Sequence, residues 1–320
     1  MSLGPKAYQG CLIAISVCLL NASPVIGQDV FGDSEILSRA SEAWQRRTRL
    51  IKTLQTKWSE RSVMASENGS PMRSDLLVQL SLGPSGETLL ESFPASGSNR
   101  RLMAAAFSGR KNYSFTAPIE VDDWPRGIVW SDDNNDEGRN VQLRPWLFLV
   151  RPFAHPVPNL SEETLKVFVS NVELNGHRCA VLESGTHGQT FVERYWIDMQ
   201  RDYIVLRYTE VFNGQTTVEL NIDYAPDQTV SWIPVSWEVA FANNAYKASC
   251  KLIDVEFNPV LTKSHFEIRF DPGTIVFDRD AGTRSLIREN KPDRLITNHE
   301  SEIGFTYAEL KATESGDIGK

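Results

Sequence analysis

Between Thr190 and Phe257 apolar and polar residues alternate in run after run, each bounded by a short polar turn. A period of two predicts antiparallel strands with one covered and one wet face. Val218, Leu220, Ile222 and Tyr224 share one parity, against Glu219, Asn221 and Asp223, and Ile233, Val235, Trp237, Val239 and Phe241 repeat the pattern. Asn175-Gly176 and Asn213-Gly214 sit between strand-like runs, a strong local signal for tight hairpins. The last member of the series changes phase: Tyr246, Ala248, Cys250 and Leu252 lie on one parity, Ile253, Val255 and Phe257 on the other. A β-bulge or sharp bend near Leu252 reconciles them and curves the sheet.

Upstream, Ile36, Leu37, Ala40, Trp44, Ile51, Leu54 and Trp58 recur at three- and four-residue spacing. This predicts one amphipathic helix from Gly32 to Met64, with Asp33 or Ser34 as N-cap. Its basic residues Arg46, Arg47, Arg49 and Lys52, interleaved with Glu35, Glu42 and Glu60, read as a solvated face. Strand-like runs follow at 75–82, 87–93, 101–108 and 111–117, then an acidic irregular stretch at 118–140. The apolar block LRPWLFLVRPF at 143–153 fits a short helix or a strand. HFEIRF and TIVFD predict closing strands, and residues 280–320 read as a loosely structured charged tail. The expected fold is α+β, a strongly curved antiparallel sheet forming an incomplete β-barrel around a long N-terminal helix. One domain is expected over residues 28–279.

Residues 1–27 carry Lys6, the apolar stretch CLIAISVCLL and the small-residue end NASPVIG, the pattern of a signal peptide. An uncleaved N-terminal anchor is the alternative reading, and no further apolar span follows to predict a stable membrane crossing. Periplasmic or secreted localisation follows. The chain has 33 basic and 41 acidic residues and a formal charge of −8, so nucleic acid and anionic lipid surfaces are poor partners.

Without the leader two cysteines remain, Cys179 and Cys250. Pairing them would close a loop of roughly 70 residues and contribute about 4 kcal/mol; two separate buried thiols is the alternative. Chemistry-bearing motifs are sparse. Neither a GxSxG elbow, an HExxH helix nor a phosphate loop occurs, and the SxxK tetrad Ser108 to Lys111 lacks its KTG partner. His177, Cys179 and His187 form a weak metal pattern, while Asp198 with Asp202, and Asp278 with Asp280, read as turn aspartates. Asp132, Asn134 and Asp136 echo a calcium loop whose glycine and final glutamate are misplaced. No catalytic residue, cofactor or metal is expected.

EAWQRRTRLIKTLQTKW at 42–58, the run YWIDMQRDYIVLRYTEVFNGQTTVELNIDY and FEIRFDPGTIVFD together resemble the LolA-like superfamily of periplasmic lipoprotein carriers and lipid-binding relatives. The resemblance spans residues 34–278 and implies a sheet wrapped around helices that holds acyl chains in an apolar cavity. On that basis the expected function is non-enzymatic binding of a lipid or lipoprotein acyl chain, with Trp44, Trp58, Trp237, Phe241 and Phe266 on the apolar faces. The alternative is an envelope-stress sensor of the same fold acting through an envelope protein partner.

Overall fold

In the computed structural model, the structure describes residues 32–66, 69–118, 124–132, 140–152, 164–185, 190–242 and 245–297. The expected signal peptide, His187, most of the acidic 118–140 stretch and the end of the expected tail lie outside them.

The long N-terminal helix is not present. Helix α1 covers Asp33–Leu50 only, and after Ile51 turns extended the chain runs as strand β1, Leu54–Met64. Leu54 and Trp58 are four apart, a spacing that satisfies both a helical face and every second residue of a strand. Thr56 decides: Leu54, Thr56, Trp58, Glu60 and Ser62 are all buried, which is the period of a strand. Arg47, expected on the solvated face, is 1% exposed.

From β1 the chain forms an antiparallel meander with β2 (Met72–Leu82), β3 (Thr88–Pro94), β4 (Met103–Phe107), β5 (Lys111–Thr116) and β6 (Arg126–Ser131). The apolar block becomes a 3-10 turn at Val141–Leu143 and helix α2, Arg144–Val150, with Pro145 in its first turn, where a missing N–H costs nothing. A second meander follows: β7 (Leu165–Leu174), β8 (His177–Ser184), β9 (Phe191–Asp198), β10 (Val205–Phe212), β11 (Gln215–Asp227), β12 (Ser231–Phe241) and β13 (Tyr246–Phe257). Both expected Asn-Gly turns form with positive φ at each residue, 52° and 78° at Asn175-Gly176 and 49° and 76° at Asn213-Gly214.

Strand β13 returns to pair with β1, joining the meanders into one sheet. Their register slips where Lys57 faces Asp254 but Trp58 faces Leu252, leaving Ile253 as the extra residue of a bulge. The phase change in the sequence is that bulge. The sheet is not closed: its order ends at β7 on one side and at the strand Arg294–Ile296 on the other.

The inner face carries both helices. Trp146 of α2 meets Trp237 edge-on at 6.4 Å between ring centroids, and Trp237 meets Trp58 at 5.4 Å. Phe148 packs against Tyr195 and Tyr208 at 5.6 and 5.5 Å. Each such pair adds roughly 0.5–1.5 kcal/mol beyond its area burial.

HFEIRF does not make a strand. Lys263–Phe266 is a 3-10 turn, and the extended residues after it cross the outer face, where Phe266 and Ile268 pack on Leu89, Ala104, Ala106 and Phe115. Two glycines permit this close approach: a Cβ on Gly83 would stand 2.8 Å from the Phe266 ring, and one on Gly127 2.5 Å from Phe270. The strap then delivers β14 (Ile275–Asp278) parallel to β6. Within the segment expected to be a loose tail, β15 (Thr283–Leu286) and β16 (Arg294–Ile296) extend the sheet, because β14 offers a free edge. Gly127→Ala is expected to push Phe270 off the outer face and lower stability by about 1–3 kcal/mol, read as a reduced urea midpoint; an unchanged midpoint would show that the strap is not seated there.

Candidate functional site

An inner-face cavity lies over the first meander. Strand alternation turns Trp58 and Glu60 of β1, Val78 of β2, Leu90 and Ser92 of β3 and Ala105 of β4 toward it. Register aligns them: Trp58 faces Val78, Val78 faces Ser92, and Ser92 faces Met103 at the exposed rim. The volume is about 390 Å³, within the range of small-ligand sites. Asn140 and Gln142, just before α2, overhang one end, and Tyr246 of β13 closes it.

That end is polar. Gln142 Nε2 donates to Glu60 Oε1 at 3.3 Å, and the Tyr246 hydroxyl donates to the same oxygen at 3.1 Å. Gln142 also makes a short bond to the Tyr246 hydroxyl. Asn140 shapes the overhang by accepting from the Gln142 backbone N–H at 3.1 Å. Burial pushes the Glu60 carboxyl above its ordinary value, and the hydrogen bond from Tyr246 only partly opposes it. Burial and the neighbouring Glu60 raise Tyr246 as well. Ser92, 8% exposed, has a hydroxyl without a hydrogen-bond partner among the described residues.

Two buried arginines hold the overhang in place. Arg144 at the start of α2 reaches Glu193 and Glu210 at 3.0 Å each and lies over the Tyr208 ring at 4.2 Å. Tyr195 donates to Glu193 at 2.9 Å. Arg47 of α1 donates to the Leu149 carbonyl of α2 at 3.2 Å and to Asp202 at 2.8 Å, tying both helices to the β9–β10 turn.

Of the five aromatic residues expected on a ligand face, Trp58 lines this cavity and Trp237 backs it. Phe241 is at its margin, edge-on to Tyr246 at 5.4 Å. Trp44 is elsewhere: its indole donates to the Tyr203 carbonyl at 2.7 Å, and it borders a smaller space of about 270 Å³ between α1 and Leu165 and Leu182. Phe266 belongs to the outer strap. The residues that sequence reasoning missed are Glu60, Ser92, Gln142 and Tyr246.

The disulfide is not formed. Cys179 and Cys250 are free, five strands apart in the sheet and on opposite faces, whereas a bridge needs Cα atoms within about 7 Å. Burial pushes Cys179 up to about 12, so its thiol stays protonated. Its neighbour Asp198 is held by Arg201 at 2.5 Å and lies 3.3 Å from His177. Asp202 is engaged by Arg47, and Asp280 by the Ser131 backbone N–H at 2.9 Å. Asp278 accepts from the Asp280 and Ala281 backbone N–H groups at 3.0 and 2.9 Å, so each aspartate weighed as an acid is a structural acceptor. Ser108 and Lys111 sit in a hairpin turn.

Among solved structures, the chain is similar to a LolA superfamily protein of Nitrosomonas europaea, at 12% identity and a TM-score of 0.46, over 72% of this chain and 97% of that one. An outer membrane lipoprotein-sorting protein domain from Vibrio parahaemolyticus matches at 11% identity and a TM-score of 0.46 with the same coverage. A DUF1329 family protein of Desulfovibrio piger matches at 10% and 0.42, again over 72% and 97%. The resemblance read from the sequence recurs in these matches as one of architecture, at low identity. No family model and no curated protein matches the chain.

Because the Glu60 carboxyl is raised in the folded chain, its contribution to stability is fully present below the ordinary value of 4.5 and is lost as pH rises through the raised one. Glu60→Gln is therefore expected to melt higher than the parent chain at pH 8 and to match it at pH 4; a gap independent of pH would contradict this. Arg144→Met leaves Glu193 buried without its cation and is expected to cost about 3–5 kcal/mol in denaturant unfolding.

Proposed function

We propose that this chain is an extracytoplasmic, non-enzymatic binding protein that holds an apolar ligand, a lipid or lipoprotein acyl chain, in the cavity over β1–β5. One observation carries the reading: a cavity of about 390 Å³ with Trp58, Val78, Leu90 and Ala105 on its floor, interrupted by the hydroxyls of Ser92 and Ser114, and with Glu60, Gln142 and Tyr246 gathered at one end. That division matches an amphiphile, whose chain gains by leaving water while its head must keep hydrogen bonds. The ionisable lining groups, Glu60 and Tyr246, are both shifted toward their protonated forms, which supports binding over nucleophilic chemistry. Among the described residues no helix is long and apolar enough to cross a membrane. The leader pattern of residues 1–27 supports placement outside the cytoplasm.

Native mass spectrometry of the protein, isolated from membranes without detergent exchange, is expected to show a lipid adduct. Leu90→Trp fills the cavity and is expected to remove the adduct while the circular dichroism spectrum is unchanged. A clean apo mass in the parent chain would overturn the reading. A stoichiometric envelope protein in place of lipid would favour a sensor role.

A further inference from the structure

The polar end of the cavity is one-sided in its electrostatics. Glu60 lines it, while Lys, Arg and His are absent from the described lining. The carboxyl group of Glu60 accepts two hydrogen bonds, both at Oε1, from Gln142 and Tyr246. Ionised, a carboxyl has about four acceptor sites, so capacity for a further donor remains. Ser92 on the facing strands adds a buried hydroxyl with no partner among the described residues, in the same lining. Leaving a buried hydroxyl unpaired is unfavourable, so a ligand group that bonds it relieves that cost.

Resting on the binding function proposed above, we infer that the cavity selects single-chain amphiphiles whose head group donates hydrogen bonds and carries no negative charge. A hydroxyl, amide or ammonium head donates to Glu60 or, two strands away, bonds Ser92. A carboxylate or phosphate head brings a second negative charge beside a buried acid, with no lining cation to offset it. Two like charges sharing one desolvated site force one of them to take up a proton or leave. The groups that face Glu60 offer no relief: Trp58 shares its strand, Gln142 comes from the overhang, and Tyr246 and Cys250 come from β13. The two β13 groups, a phenol and a thiol held protonated by burial and by Glu60, are neutral and supply no positive charge.

The test compares four ligands with the same chain, dodecanol, dodecylammonium, dodecanoate and dodecyl phosphate, each below its micelle concentration. Their affinities for the full chain are measured at pH 8 by quenching of tryptophan fluorescence. Dodecanol and dodecylammonium are expected to bind at least about ten-fold more tightly than the two anions, the factor that one pKa unit of charge interaction represents. Glu60→Gln is expected to strengthen dodecanoate and weaken dodecylammonium, narrowing the gap. Ser92→Ala is expected to weaken dodecanol several-fold, a readout independent of Glu60. Dodecanoate binding as tightly as dodecanol to the parent chain would overturn the selectivity and leave the binding function standing. Failure of all four to bind would overturn both.

Discussion

The seating of α2 rests on buried guanidinium groups, and the cavity depends on that seating. Arg144 enters the inner face between Glu193 and Glu210, with the Tyr208 ring beneath it, and Arg47 clasps the far end of the same helix through the Leu149 carbonyl. Taking these ions out of water costs several kcal/mol each, and hydrogen-bonded partners of opposite charge offset that cost only in good geometry. Such contacts add little net stability but penalise alternative placements of a seven-residue helix that otherwise slides on an apolar surface. Since Gln142 lies two residues before Arg144, the position of the overhang is inherited from the ion cluster.

Much of the sheet was legible in the sequence because its signals are local. Alternation marks the second meander, the Asn-Gly pairs mark two turns, and the phase change after Leu252 marks the bulge at Ile253. The helix-to-strand boundary was not legible. No Gly or Pro separates Leu50 from Leu54, and the Leu54 to Trp58 spacing serves either period. The strap misled for a related reason: Phe266, Ile268 and Phe270 alternate because they pack on one surface, and alternation alone does not say whether the backbone pairs with a neighbour.

The candidate site was less legible than the fold. Trp58 was picked out as an apolar helix residue and turned out to line the cavity from a strand. The same misassignment placed Glu60 on a polar helix face, although two residues from Trp58 on a strand puts it on the same inner face. Tyr246 and Gln142 reach Glu60 across sequence separations of 186 and 82 residues, which local pattern does not report. The cysteines show the opposite error: the expected compartment made a bridge conceivable, while sheet order put four strands between them.

The β1–β13 pairing sets Leu54 opposite Phe257. Each meander can form from near neighbours, but the seam between them joins segments made far apart in time as the chain is synthesised. Contacts of such long range are slow to form, because closing the large loop precedes any gain from the pairing. Tyr246 belongs to the later side of that seam and Glu60 to the earlier one, so the polar end of the cavity appears only when the seam has closed. Completion of the cavity is thereby coupled to completion of the fold: a nascent or truncated chain that displays the whole first meander still has an unfinished pocket.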